Sequence, residues 1–454
     1  LIPGRPLETA TLASELNSNR VPGLSVAVID HFRLAWAKGY GVNDVRSRTP
    51  VTPETLFCVG GISKLVTAVA VLRLVQANKL DLDEDVNRYL LHWKIPTNQF
   101  TSKHPITIRQ LLSHSAGTNR HRPSALHPSE HLPEVLDLIN GGHEVSNEPP
   151  LEVVLQPGGR FVYSSGGFLV LQQLLTDVEN QPFPEIVNRL VFDPLGMIHS
   201  TYVQPSTAQP DPLRASGHSI SKNGQNMEAR ILAFPELAGS GLWTTASDLA
   251  ALVINLQRSG EPGGVLSRSS YESLLRPVVS NAGLGVFLTG NPESRRFRVR
   301  TSDSTADDTF TGWLVGYVHG GKGVVVLANA PTAIPVAFSL IRSIALEYNW
   351  NDFVNLQPTA IIDPSVYKQY VGRYQLGDEI ITVSTSDDGQ TLLRQIGDSE
   401  KVSLYPYSAT TFLVSSELLN DAHIRFVFNT GGRVTGLVLE YLDRGESFTA
   451  PRLQ

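Results

Sequence analysis

The chain has 454 residues, 41% hydrophobic and 18% charged, with a formal net charge of −6 and one cysteine. That length exceeds one ordinary core and predicts two or three domains, and the balance excludes a disordered chain. A mildly acidic chain with no basic block is a poor partner for nucleic acid, no apolar run reaches the roughly 18 residues of a membrane span, and one cysteine excludes an internal disulfide. The chain begins at Leu1 rather than methionine, so the compartment stays open between periplasm, exterior and cytoplasm.

Leu7, Leu12 and Leu16 among polar neighbours predict an amphipathic first helix over 7–17. Pro22-Gly23 opens the short β-branched run Leu24 to Ile29, which has the character of a buried strand. Residues 32–38 pair back on it, and Gly39-Tyr40-Gly41 ends the hairpin. From Ile62 to Val75 only Ser63, Lys64, Thr67 and Arg73 interrupt the hydrophobic residues, so a helix here is apolar nearly all round and belongs in the core. A lysine at the start of such a helix is costly to bury and needs a reason. Cys58, in the apolar stretch just before it, reads as an inert buried thiol.

From there to about residue 275 the pattern is mostly helical. Thr107 to His114 forms a short helix stopped near Gly117, and a second helix runs through Leu169, Leu171, Leu174 and Leu175. Thr245 caps a third over Leu249 to Leu256. Strands return at Thr311 to Tyr317 and Gly323 to Asn329, joined by the turn His319-Gly320-Gly321-Lys322, and a helix from Ile334 to Tyr348 closes the domain. Strands at both ends with helices between predict one antiparallel sheet completed by both termini. After a linker over 355–364 the period changes to two. Ile380 to Val383, Thr391 to Leu393, Thr411 to Val414, Ile424 to Phe428 and Val434 to Tyr441 predict a small all-β barrel. The partition is therefore 1–354, with a helical subdomain within about 65–275, then 355–364 and 365–454. The fold class is α/β of the segregated (α+β) kind: an antiparallel sheet flanked by helices, an all-helical subdomain, then a barrel.

Several motifs lie in order along the first domain: Val21-Pro22-Gly23-Leu24-Ser25-Val26-Ala27, Lys38-Gly39-Tyr40-Gly41, Thr55-Leu56-Phe57, Leu111-Leu112-Ser113-His114-Ser115-Ala116-Gly117, Pro157-Gly158-Gly159-Arg160-Phe161-Val162-Tyr163-Ser164, Asp193-Pro194-Leu195-Gly196-Met197 and Gly241-Leu242-Trp243-Thr244-Thr245. With them the domain resembles the serine β-lactamase and penicillin-binding-protein superfamily, nearest its class C-like branch of family VIII esterases and D-amino-acid peptidases. The tail resembles the lipocalin-like domain behind some of these hydrolases.

The resemblance implies three chemical parts. A serine at the start of the core helix attacks an acyl group, and a lysine three residues on takes its proton. A tyrosine shares in proton transfer, and a strand motif of His or Lys, any residue, then Gly binds the substrate's anionic end and completes the oxyanion hole. Residue by residue, Lys64 matches the lysine and Tyr163 the tyrosine. Ser165 matches the Asn, Ser or Gly two positions on. The nucleophile position holds Gly61, and counting back from Phe310 puts the third motif at Asp303-Ser304-Thr305, with Ala306 next. Ser165, Asp303, Thr305 and Ala306 are thus the expected substrate-binding residues. Gly61 still offers its N–H as an oxyanion donor. Without His-x-Gly, a neutral ester, lactone or amide fits better than a carboxylated substrate.

Ser63 lies about 200° round the helix from Gly61, which makes it a packing or capping residue. Ser165 is a hydrogen-bonding residue before it is a substitute nucleophile. His114 reads as a helix cap, and the pair His127 and His131 sits in a Pro-containing loop unsuited to metal. Asp303, Asp307 and Asp308 form either a solvated loop or a barrier to carboxylates. No cofactor or metal is implied, the partner is a small molecule, and oligomeric state is not legible. Three readings follow: a working serine hydrolase in which Gly61 is an engineered Ser→Gly change, a non-hydrolytic enzyme (elimination, isomerisation or cyclisation) using Lys64 and Tyr163 as acid and base, and a non-catalytic binding protein.

Overall fold

A computed structural model describes residues 10–453 apart from 121–124, 129–131, 142–148, 209–210, 221–226, 262–263, 291–294, 302–308, 351–359, 361, 378, 398, 400, 415–421 and 442–445. The chain divides into two compact units, Thr11–Ile341 and a second from Arg342 to Gln454. Most of the expected linker over 355–364 lies outside the described residues.

The first unit opens with α1 (Leu12–Ser18), capped by the Thr11 side chain, which accepts the Ser14 N–H. Of the helix expected over 7–17, residues 7–9 lie outside the described residues and the described part begins at Leu12. Next come β1 (Gly23–Asp30), β2 (Arg33–Gly41), which pairs back on β1 as a hairpin, and the core helix α2 (Ser63–Gln76). Helices α3 (Gly166–Glu179) and α4 (Ala246–Gln257) follow, then β3 (Phe287–Thr289), β4 (Arg296–Arg300), β5 (Thr311–Tyr317), β6 (Gly323–Ala328) and α5 (Ile334–Glu347).

The six strands form one antiparallel sheet in the order β2-β1-β6-β5-β4-β3. The N-terminal strand joins the C-terminal one in the register Leu24↔Ala328 to Ile29↔Gly323. Seven of the eight β1 residues and all of β6 are buried, because both faces are covered, which is why their sequences run continuously apolar. On one face Gly316 and Gly323 lie under Val253 of α4, and Gly312 lies under Ile62 at the start of α2. On the other, Trp313 packs against Phe338 of α5, ring centres 4.8 Å apart.

Helix α2 is buried at Ser63 to Leu72 and at Leu74. Its hydroxyl at Thr67 bonds the Ala238 carbonyl at 2.8 Å, so even its polar residues are spent inside the fold. Ahead of α3 the short helix Ile108–Leu112 starts on a reciprocal cap between Thr107 and Gln110.

The second unit is a meander of eight strands: β7 (Gly372–Leu376), β8 (Glu379–Thr385), β9 (Leu392–Ile396), β10 (Val402–Pro406), β11 (Thr411–Val414), β12 (Ala422–Phe428), β13 (Val434–Tyr441) and β14 (Glu446–Pro451). Each pairs antiparallel with the next. A bridge between Tyr374 and Arg452, with Leu453 N–H donating to Arg373 O at 2.8 Å, brings the last strand back to the first. The sheet is thus nearly closed into a barrel, which removes most of its exposed edge. Alternate residues fill the interior, with Tyr370 against Phe412 and Phe426 at 5.2 and 4.4 Å; an eight-stranded barrel is narrow enough to be packed this way. Three of its strands, β7, β10 and β14, escape the sequence reading, as do β3 and β4. All five are short or rich in polar residues.

Candidate active site

The site lies where the start of α2 meets the end of β4. Gly60–Ile62 make one tight turn ahead of the helix, with Gly60 at φ +46°, a left-handed conformation that glycine adopts without strain. Gly61 N–H donates to the Thr301 carbonyl at 2.5 Å. A β-carbon on Gly61 would stand 2.7 Å from Arg300 O and 2.8 Å from Thr301 O, closer than real β-carbons approach backbone oxygen. The two segments therefore meet at a distance that only glycine permits. This corrects one expectation: the Gly61 N–H is not left free as an oxyanion donor, because Thr301 already takes it.

One helical turn on, Lys64 is 4% exposed. Its Nζ donates to Gly239 O at 2.8 Å and stands 5.2 and 5.3 Å from the ring centres of Tyr163 and Phe168. The carbonyl comes from the short helix Leu237–Ser240, packed against α2. A carbonyl and two ring faces thus give the amine the partners that a buried lysine needs.

Tyr163 is held by His114. The two rings stack 4.4 Å apart at 27°, and Phe161 and Phe168 flank the imidazole at 5.8 and 5.5 Å. His114 O accepts Val162 N–H at 2.8 Å, and its Nδ1 accepts Ser164 N–H at 3.2 Å, so the histidine grips the chain on both sides of the tyrosine. Accepting at Nδ1 assigns the ring proton to Nε2. Burial, with the Lys64 charge adding to it, pushes the imidazole down to about 3, so it is neutral at ordinary pH. His114 has φ +56°, just beyond the short helix Ile108–Leu112. Ser113, not His114, holds the C-cap of that helix, and His114, the next residue, lines the site, a role its place in the Leu111–Gly117 motif signals.

Ser165 is buried at the N-terminal cap position of α3, and its carbonyl accepts Phe168 and Leu169 N–H at 3.0 and 3.2 Å. Two nearby serines are engaged elsewhere. Ser63 Oγ donates to Gly60 O at 2.6 Å and accepts Leu242 N–H at 3.1 Å. Ser164 Oγ donates to Arg120 O at 2.7 Å and shares a hydrogen bond with Thr118 Oγ1 at 2.6 Å. Cys58 is fully buried, and burial pushes its thiol up to about 12, so it is no nucleophile.

Gly61, Lys64, His114 and Tyr163, with Phe287 and Arg300, line a cavity of about 10 Å³, room for about one water molecule. The structure thus brings together Gly61, Lys64 and Tyr163 as expected. Asp303, Thr305 and Ala306, together with Ser304, Asp307, Asp308 and His131, lie outside the described residues. Among the described residues no cluster of three His, Cys, Asp or Glu side chains is placed to hold a metal, and no helix is long and apolar enough to cross a membrane.

The family model described as Beta-lactamase matches residues 9–348, well over half of the chain. The chain belongs to the beta-lactamase family. Protein flp of Staphylococcus aureus (strain MRSA252) is 23% identical over 321 residues, which cover 69% of this chain and 61% of flp. The putative penicillin-binding protein PbpX of Bacillus subtilis (strain 168) is 24% identical over 255 residues, 55% of this chain and 58% of PbpX. The chain therefore spans about three fifths of the length of the curated relatives it matches. Among solved structures, the octameric penicillin-binding protein homologue from Pyrococcus abyssi shares the fold with a TM-score of 0.63 at 20% identity, over 97% of this chain and 98% of that one. That coverage takes in the barrel as well as the beta-lactamase-like unit.

Proposed function

We propose that this beta-lactamase-family chain acts on a small neutral ester, lactone or amide, of which only the reacting group reaches the water-sized cavity, by proton transfer through Lys64 and Tyr163 and without an acyl-enzyme at residue 61. The observation that carries this reading is the packing at Gly61. The position a serine β-carbon needs is taken by two backbone oxygens, while the lysine and tyrosine stay together. A serine hydrolase disabled only by loss of its hydroxyl would keep room for that β-carbon, so the packing speaks against that reading. Positioned proton donors and acceptors contribute typically 10²–10⁴-fold to a rate without any covalent step. Reactions of this kind are direct attack by water on the acyl carbon, elimination, isomerisation or cyclisation.

The test is turnover of a panel of short-chain esters, lactones and amides by the unaltered chain, compared with Lys64→Ala and Tyr163→Phe. Both variants should lose at least about 100-fold in kcat, while a ligand that raises the melting temperature of the parent still raises theirs. Unchanged turnover after Lys64→Ala sinks the proposal. Binding with recovery of chemically unaltered ligand throughout the panel points to the non-catalytic reading instead.

A further inference from the structure

Arg120 is 2% exposed, and its Nε, Nη1 and Nη2 are each buried with no hydrogen-bond partner among the described residues. A guanidinium carries five N–H donors and keeps its charge at any pH a protein survives. Withdrawing it from water without an anion or an acceptor is among the largest penalties a folded chain can carry. Arg214, whose Nη1 is also unpaired, shows the ordinary solution for the rest of the group: Asp211 at 3.3 Å, Val203 O at 2.8 Å and the Trp243 ring at 5.0 Å.

The Arg120 backbone packs against the start of a helix. Its Cβ stands 3.0 Å from the place a β-carbon on Gly166 would take, against the first turn of the 14-residue α3. The N-terminal end of a helix carries about half a positive charge. The backbone donors of that turn are already used: Gly166 N–H bonds Arg120 O at 3.1 Å, and Gly167 N–H bonds Ser164 Oγ at 3.4 Å. The described part of the region thus holds a buried cation and a helix start, and supplies neither with a carboxylate.

We infer that Arg120, against the first turn of α3, is a buried binding site for a small oxyanion, a carboxylate or a phosphate. The planar fork suits either, because it can donate two parallel hydrogen bonds to adjacent oxygens. The site stands behind the segment that carries Tyr163 and Ser165. Arg120 O holds the Ser164 hydroxyl and the Gly166 N–H, so an anion that braces Arg120 braces the tyrosine's segment. This inference does not rest on the acid–base reading of Lys64 and Tyr163 and survives its failure.

The test is thermal unfolding of the full chain in 1–100 mM inorganic phosphate and, separately, 1–100 mM acetate, with ionic strength matched by sodium chloride. One of the two anions should raise the melting temperature progressively, by about 4 °C once its concentration is about 100 times its Kd, and which one does so identifies the ligand's class. Arg120→Met should abolish that rise and melt no lower than the parent without the anion, since the uncompensated charge is gone. A parent that responds to neither anion overturns the inference, and so does Arg120→Met responding as the parent does. Should Arg120→Met fail to fold, Arg120→Lys keeps the charge without the fork and should need at least tenfold more anion for the same shift. An unchanged concentration dependence in that variant overturns the inference equally.

Discussion

Gly61→Ser places a β-carbon 2.7 and 2.8 Å from the carbonyl oxygens of Arg300 and Thr301, where ordinary contact begins at 3.4 Å. The end of β4 must then retreat by about 0.7 Å, the difference between 3.4 and 2.7 Å. That motion stretches the 2.5 Å bond from Gly61 N–H to Thr301 O. Overpacking of a tight interior costs typically about 1–3 kcal/mol, and a lost backbone hydrogen bond about 1 kcal/mol more. The expected destabilisation is roughly 2–4 kcal/mol, which lowers the melting temperature of a unit this size by about 3–6 °C. Differential scanning fluorimetry reads the shift, and intact-mass spectrometry after incubation with an activated ester reads whether the new hydroxyl is acylated. A melting temperature equal to the parent's, together with a stable acyl adduct, would refute the reasoning. It would mean that the glycine stands in a serine's place with the site otherwise intact.

Two further outcomes follow from the same contacts. Ser63→Ala removes the acceptor of Leu242 N–H and the donor to Gly60 O; leaving these buried groups unpaired costs about 1–3 kcal/mol in urea unfolding, with turnover per folded molecule unchanged, whereas complete loss of turnover would make Ser63 the nucleophile. The fold's pH dependence has a definite sign. His114 is held near 3, and His218, whose Nδ1 bonds Asn329 O at 3.0 Å and whose Nε2 accepts Val45 N–H at 3.2 Å, is also lowered, chiefly by burial. In the unfolded chain both bind protons below about 6.5. Their stabilising effect is therefore complete above that pH and is lost as pH falls from 6.5, by up to about 1.4 kcal/mol per unit for each histidine. Asp44, Asp83, Asp177 and Glu179 have lowered values and lose their contribution only as pH falls through the lower carboxylate range. Urea unfolding at pH 7.5 and 5.0 should show the difference, and His218→Asn should reduce it; an equal slope in that variant would remove His218 from the account.

Sequence and structure agree where chemistry is strongly patterned. The unbroken apolar run from Ile62 to Val75 and the β-branched run of β1 are legible because burial on every side demands such runs, and both lie where they were expected. Strands β3 and β4 were not legible. Residues Arg296, Arg298 and Arg300 alternate with Phe297 and Val299, and a strand of five residues between polar loops gives too few repeats to distinguish it from coil. At the site, the identities of Lys64 and Tyr163 came from motif spacing. Two features did not: the Thr301 carbonyl against Gly61, and the two-sided hold of His114 on Tyr163. Both are contacts between segments far apart in the chain; the first is made by backbone atoms that every residue possesses, and the second joins a backbone bond to the His114 ring, whose direction the sequence does not give.

The central claim is that the site works without a covalent intermediate, and a quenched time course on the unaltered chain tests it most directly. Substrate and protein are mixed at comparable concentrations, stopped through a single turnover, and analysed together for product and for intact protein mass. The account predicts product rising as a single exponential with no burst and no added acyl mass at any time point. A transient acyl adduct that forms and decays at rates matching product release would contradict it, and peptide mapping of that adduct to Ser165 would name the nucleophile that replaced the missing one.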